Sequence, residues 1–223
     1  MAVKVITIGE EILGANEAKA RGNQKRLDQN GILAANIMSS PGSGKTSLIL
    51  RTIRHFKTKL GIAVIEGDVA SSIDAEKVNK LGVAVIQINT AGGCHLDANM
   101  IEQALDNLPL EKTDLLFIEN VGNLICPVEF ALGEHKRAVI LSLPEGDDKP
   151  HKYPAMFADA DVVLVNKIDL KPYLNFNLDA FIKKVTGMNP KVKIFPVSCQ
   201  TGEGLDGWFS WLEAELKGKD TRK

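Results

Sequence analysis

Ser39-Ser40-Pro41-Gly42-Ser43-Gly44-Lys45-Thr46 is the stretch on which the fold turns. Gly44, Lys45 and Thr46 complete the pattern G-x-x-x-x-G-K-[ST], with Ser39 where the pattern has its first glycine. Successive backbone N–H groups leading into a helix N-terminus form a cradle for phosphate oxygens. In this reading Lys45 neutralises the β- and γ-phosphates of a nucleoside triphosphate and the Thr46 hydroxyl ligates Mg²⁺. Gly42, Ser43, Gly44 and Ser47 belong to the same cradle, and Gly42 keeps the turn free despite Ser39. A Gly/Ser turn with a chance lysine is the bland alternative. The flanks argue against it: Ile32–Met38 is a continuous apolar run, and Ser47–Lys59 carries Leu48, Leu50, Ile53 and Phe56 at helical spacing.

Outward from this loop the pattern repeats. Further apolar runs lie at Ile62–Ile65, Val83–Ile88, Leu115–Ile118, Ala138–Leu143, Val162–Val165 and Val192–Val197. They are continuous rather than alternating, as strands covered on both faces read. Helix-length segments fall between them, at Ile73–Leu81, Leu96–Leu108, Leu178–Met188 and Leu205–Leu216. Strands alternating with helices predict an α/β fold, a doubly wound and mostly parallel sheet of about seven strands. Ligands of such sheets sit beyond the carboxyl ends of the strands. Residues 10–30 are polar and helix-permissive, with Ile12, Leu13 and Leu27 as the few apolar anchors, which predicts a weakly anchored helix. The chain therefore divides into an N-terminal helical extension over 1–30 and a nucleotide-binding domain over 31–223.

Composition narrows the function classes. Of 223 residues 44% are hydrophobic and 25% charged, and 27 basic residues meet 28 acidic ones, for a net charge of -1. No overall field favours nucleic acid or a membrane surface. Three cysteines, Cys94, Cys126 and Cys199, cannot all pair within one chain and suit a reducing compartment. Met1–Glu10 has no signal-peptide character, and no apolar run reaches the ~18–20 residues a membrane span requires. The expectation is a cytoplasmic protein.

Asn166-Lys167-Ile168-Asp169 follows the sixth run. P-loop GTPases of many families carry N-K-x-D at this place, and that likeness gives the motif its meaning. A carboxylate at Asp169 accepts from guanine N1–H and the 2-amino group. Adenine would leave it unpaired, and an unpaired buried charge costs enough to reject ATP. Lys167 lays its stem along the base, and Asn166 joins the two nucleotide loops. Ser198-Cys199-Gln200-Thr201-Gly202 is similar to the S-A-K loop whose backbone N–H reaches guanine O6. Cys199 takes the small alanine position there and reads as a packing residue.

Acidic residues close two other runs, in Glu66-Gly67-Asp68 and Glu119-Asn120-Val121-Gly122. Glu119 resembles a Walker B acid, on Mg²⁺ directly or through water. Its E-x-x-G context is similar to the branch of P-loop GTPases that includes signal recognition particle proteins and metal-delivery GTPases. Asp68 is preferred to Asp74 for holding Mg²⁺ or orienting the attacking water, since Asp74 also suits a helix cap. Lys45, Asp68 and Glu119 are thus the candidate catalytic residues. No glutamine or arginine is placed as in fast GTPases, so slow turnover is expected.

Two cysteines remain. Cys94-His95 ends Asn89-Thr90-Ala91-Gly92-Gly93-Cys94-His95, and Cys126 ends Glu119-Asn120-Val121-Gly122-Asn123-Leu124-Ile125-Cys126. On composition alone these are core thiols and a loop histidine. The stretches S-S-P-G-S-G-K-T-S-L, E-G-D-V-A-S-S-I-D-A, G-G-C-H-L-D, E-N-V-G-N-L-I-C-P and N-K-I-D together resemble the HypB family of nickel-delivery GTPases, and the likeness continues to S-C-Q-T-G. The resemblance implies a GTPase that inserts nickel during maturation of nickel–iron hydrogenase. It implies GTP/GDP and Mg²⁺ as ligands, and Ni²⁺ or Zn²⁺ held by Cys94, His95 and Cys126. It implies a nucleotide-dependent homodimer, a small HypA-like nickel-binding partner and the hydrogenase large-subunit precursor.

Some members of that family add an N-terminal cysteine motif or a histidine-rich stretch. This chain has neither a cysteine nor a histidine before His55. His55 reads as a surface residue, and His135 is placed near the switch. Lys149 and Lys152 reach across a dimer interface or lie in a solvated loop. Competing readings are a related metallochaperone for urease or a cobalamin enzyme, a P-loop kinase, and a GTPase acting on RNA.

Overall fold

Every position of β1 (Leu33–Ser39) is buried, because this strand runs through the middle of the sheet that organises the molecule. The computed structural model describes residues 8–69 and 73–220. The remaining strands are β2 (Ile62–Asp68), β3 (Ala84–Asn89), β4 (Leu115–Glu119), β5 (Lys136–Ser142), β6 (Val162–Asn166) and β7 (Lys193–Pro196). Their order is β3-β2-β4-β1-β5-β6-β7, and every neighbouring pair is parallel. The chain leaves β1 for one edge and returns at β4 before it builds the other edge. The crevice beyond the carboxyl ends of β1 and β4 is therefore the topological switch point.

Helices cover both faces: α1 (Ile8–Gln29), α2 (Lys45–Phe56), α3 (Ile73–Asn79), α4 (Ala98–Leu105), α5 (Lys149–Lys152), α6 (Pro154–Ala158), α7 (Leu178–Met188) and α8 (Leu205–Asp220). On one face Leu48, Ile49, Ile53 and Phe56 of α2 pack with Trp208 and Leu212 of α8 over Leu33, Ala35 and Ile37. Each large side chain buried in this way contributes about 1.5–3 kcal/mol. The Trp208 indole N–H donates to Thr52 Oγ1 at 2.9 Å, so the largest ring in this layer leaves no polar atom orphaned. On the other face Leu27, Ile101 and Leu105 cover Ala34, Leu116 and Ile118, while Met156, Phe157, Phe181 and Val185 cover Val139, Leu141 and Val163. Among the described residues no helix is long and apolar enough to cross a membrane.

The helix expected over residues 10–30 is present as α1, but its attachment differs from expectation. Ile12 is 56% exposed. The helix is held instead by a stripe of Asn16, Ala20, Asn23 and Leu27, all buried. Asn16 Nδ2 donates to Ala131 O at 2.8 Å, and its Oδ1 accepts from Ala98 N at 2.8 Å. Asn23 Nδ2 donates to Ala98 O and Leu132 O at 2.8 and 3.1 Å. Counting apolar residues missed an anchor made of carboxamides. His135 also lies elsewhere than expected. It precedes β5 at the amino end of the sheet, where its Nδ1 accepts from Ala34 N at 2.9 Å and its Nε2 meets Asp28 at 3.1 Å. Burial, and then the charge of Lys219, lower its pKa.

Candidate nucleotide site and thiol–imidazole cluster

The loop between β1 and α2 is shaped by glycines where its path requires them. Gly44 has φ +108°, and a Cβ there would lie 2.3 Å from Asn166 Nδ2. The departure at Ser39 has a visible use: the Lys45 amine donates to Ser39 Oγ at 3.2 Å. Asn166, at the end of β6, binds the loop and the base-side turns together. Its Nδ2 donates to Ser43 O at 2.8 Å, and its Oδ1 accepts from Lys167 N and Cys199 N at 2.8 and 3.0 Å. Lys167 adopts a left-handed conformation, φ +63°, and its amine donates to Gly42 O at 2.7 Å. The Ser198 hydroxyl donates to Asp169 Oδ1 at 2.5 Å, which fixes the carboxylate expected to read guanine. Cys199 is buried, and burial pushes its thiol up to about 11, as suits a packing residue.

Two residues of this framework escaped the sequence reading. Arg51 of α2 donates to Cys199 O at 2.8 Å and to Gln200 O at 2.6 Å, so the phosphate-side helix holds the base-side loop. Glu145 accepts from Ser43 Oγ, Ser142 N and Ser142 Oγ, each at 2.7 Å, and also from the Ser40 hydroxyl. Its signal was the capping-box spacing from Ser142 to Glu145.

A cavity of about 440 Å³ opens beside the loop, lined among others by Lys45, Thr46, Glu66, Asp68, Asp74 and Glu119. Glu66 and Glu119 are register partners on β2 and β4 and are only 2% and 3% exposed. Carboxylate oxygens of Glu66, Asp74 and Glu119 lie within 4.8 Å of one another. Thr46 Oγ1 donates to Glu119 Oε1 at 2.8 Å. Burial and then the Glu119 charge push the Glu66 carboxyl up to about 10, and burial raises Glu119 as well. One oxygen of each, Oε2, is buried without a hydrogen-bond partner. Orphaned hard oxygens beside a threonine hydroxyl fit a divalent cation such as Mg²⁺. The grouping brings Glu119 together with Glu66, which the sequence reading passed over, and with Asp74, in the first turn of α3. Asp68 lines the cavity but stands outside this triad. Gly122 lies against the phosphate loop, where a Cβ would come within 3.0 Å of Pro41.

The softer donors meet nearby in the chain. Cys94 and His95 lie in the loop from β3 to α4, and Cys126 opens a single 3₁₀ turn over Cys126–Val128. Sulfur and ring-nitrogen atoms of Cys94, His95 and Cys126 all lie within 4.8 Å of one another, with Cys94 Sγ 3.5 Å from His95 Nδ1. Phe130 packs its ring on His95 with centroids 3.9 Å apart and restricts the imidazole. The contact with Cys126 is the main reason the Cys94 thiol titrates above its ordinary value, and burial lowers the pKa of the His95 imidazole. Two thiols and a neutral imidazole form a donor set for a borderline-soft divalent metal. Lys149 and Lys152 lie on α5, Lys149 over the Tyr153 ring and Lys152 paired with Asp148 at 2.5 Å.

Comparison with known proteins agrees with this geometry. Residues 33–196 match the family model described as CobW/HypB/UreG, nucleotide-binding domain. The chain is 48% identical to the hydrogenase maturation factor HypB of Rhizobium leguminosarum bv. viciae, over 98% of this chain and 73% of that protein. It is 42% identical to the probable hydrogenase maturation factor HypB of Methanocaldococcus jannaschii, over 96% and 97% of the two chains. The crystal structure of HypB from Helicobacter pylori in complex with nickel superposes with a TM-score of 0.87 at 40% identity, covering 92% of this chain and 96% of that one. The chain belongs to the CobW/HypB/UreG family of nucleotide-binding proteins and, within it, to the HypB hydrogenase maturation factors.

Proposed function

We propose that this protein is a GTP-hydrolysing metallochaperone that delivers nickel to the precursor of a nickel–iron hydrogenase. The observation that carries the reading is the meeting of Cys94, His95 and Cys126 within 4.8 Å, on loops that follow β3 and β4 at the carboxyl edge of the sheet. An exposed Cys94 with partly buried partners makes a shallow site, which suits a cargo that must leave. The names of the relatives favour hydrogenase over urease or a cobalamin enzyme. Zn²⁺ satisfies the same donors and is the alternative cargo.

GTP is held by the cradle of Gly42 to Ser47, with Asn166, Lys167, Asp169, Ser198 and Cys199 around the base. Thr46 and Glu119, joined by Glu66 and Asp74, hold Mg²⁺, which supplies positive charge to the transferring phosphoryl group when bound. Lys45 moves from Ser39 Oγ to the β- and γ-phosphates, and Asp68 orients the attacking water. Turnover is slow for want, among the described residues, of a glutamine or arginine lining the cavity. Glu119 and Cys126 share one segment, so phosphate state and cargo affinity bias each other reciprocally. The same reading places the protein in the cytoplasm, as a nucleotide-dependent homodimer served by a HypA-like partner. Residues 1–30 are then an extension of a GTPase domain over 31–223.

The test is a nickel titration of the GDP form and of the form with a non-hydrolysable GTP analogue. The wild type shows different affinities in the two states. The double variant Cys94→Ala/Cys126→Ala loses nickel and keeps GDP. Equal nickel affinities in both states, or nickel retained by the double variant, would remove the delivery reading.

A further inference from the structure

The segment between Glu119 and Cys126 carries two asparagines whose side chains reach across to the Cys94–His95 loop. Asn120 is fully buried. Its Oδ1 accepts from Leu96 N at 3.1 Å and from Val121 N at 2.9 Å, and its Nδ2 donates to Asn36 Oδ1 at 3.3 Å on β1. Asn123 is partly exposed. Its Nδ2 donates to Cys94 O at 3.3 Å, and its Oδ1 accepts from Ile125 N at 2.9 Å, the residue before Cys126. The Cys94–His95 pair is thus gripped on both sides, at the carbonyl of Cys94 and at the amide of Leu96. Both grips start from the segment that ends in Cys126.

We propose that Asn120 and Asn123 are positioning residues for the cargo ion, two struts that keep the Cys94–His95 loop and the Cys126 turn in register so that all three donors meet one metal. The proposal rests on the reading that these three residues take nickel. Its physics is that of short bonds. Thiolate and imidazole bind such metals at about 2.0–2.3 Å, so two loops that drift by about an ångström no longer share an ion. A carboxamide suits the task because it offers one acceptor and one donor group in a fixed plane. Asn123 spends its acceptor on the Cys126 side and its donor on the Cys94 side. Asn120 ties the same loop to the end of β4, next to Glu119, so a shift of that strand end is passed to Cys94 and His95.

The experiment uses the full chain and Ni²⁺ alone, followed by thiolate-to-nickel charge-transfer absorption and by GDP affinity. Removing a residue that orients metal ligands typically weakens metal binding by about 10- to 100-fold, and that is the loss expected for Asn123→Ala. Its absorption band shifts or fades while GDP affinity stays at the wild-type value. Asn123→Asp keeps the acceptor for Ile125 N but has no donor for Cys94 O, and behaves like Asn123→Ala. Asn120→Ala shows the same loss with a lower melting temperature. Because Asn120 is buried and its variant can fail to fold, the partly exposed Asn123 carries the decision. Wild-type nickel affinity and band in both Asn123 variants would overturn the struts. Nickel retained by the Cys94→Ala/Cys126→Ala variant would instead overturn the ligand reading beneath them, and the struts with it.

Discussion

Glu66 is a carboxyl group that the fold keeps protonated near neutrality, with its pKa pushed up to about 10 by burial and by Glu119. Its unfolded value is near 4.5. Between these values the folded chain binds the extra proton, so stability is highest below the unfolded pKa and falls as pH rises toward the folded one. Divalent cation at the triad reverses the penalty by supplying the missing positive charge. Glu66→Gln removes the titration while keeping the shape. In melts without nucleotide or divalent metal, the variant is expected to exceed the wild type at pH 8 and to converge on it at pH 5. Added Mg²⁺ should raise the wild type's melting temperature more than the variant's. Parallel melting curves across that range would refute the argument. Glu66 was legible only as the first letter of Glu66-Gly67-Asp68. That it, rather than Asp68, faces Glu119 follows from the β2–β4 register, which no single strand's sequence contains. By contrast Lys45, Thr46 and Asn166 stood out at once, because a phosphate cradle and its brace depend on chain-local geometry.

Among the elements, the strands read correctly from their continuous apolar runs; the inner five, β2, β4, β1, β5 and β6, are covered on both faces, and the edge strands β3 and β7 are only partly buried. The α1 helix read correctly in extent and only partly in attachment: Leu27 is a buried anchor as expected, whereas Ile12 is exposed. Its buried stripe alternates carboxamides with Ala20 and Leu27, and Asn16 and Asn23 serve the backbone of residues 98, 131 and 132. A polar residue three or four positions from an apolar one looks like a solvated face until its partners are known. Asn23→Ala leaves buried carbonyls unserved and should cost about 1–3 kcal/mol in urea unfolding. Ile12→Ala, on a side chain that is 56% exposed, should cost less than about 0.5 kcal/mol. Equal costs for the two would mean that apolar contact holds the helix after all.

At the scale of the whole molecule, the candidate nucleotide and metal sites gather at the carboxyl end of the sheet. Ser39, Asp68, Glu119, Ser142 and Asn166 are the last residues of β1, β2, β4, β5 and β6. The hard-oxygen triad and the soft-donor cluster both hang from that end, and so does exposed apolar surface. Val69 and Ile73 are 45% and 62% exposed on either side of residues 70–72, and Ile125 is 64% exposed beside Cys126. Large aliphatic side chains left in water beside the candidate nucleotide and metal sites suit a contact made in only one nucleotide state. The nucleotide-dependent homodimer proposed above would cover these residues with the second copy. Removing one large aliphatic side chain from water is worth about 1.5–3 kcal/mol, which is a tenfold to hundredfold effect on association. Ile125→Glu adds a desolvated charge to the lost burial. Sedimentation velocity should therefore find the variant monomeric with a non-hydrolysable GTP analogue at concentrations where the wild type dimerises. Nucleotide affinity of the variant monomer should be unchanged, because Ile125 does not line the nucleotide cavity. An Ile125→Glu protein that still dimerises on the analogue would move the interface away from the Cys126 turn.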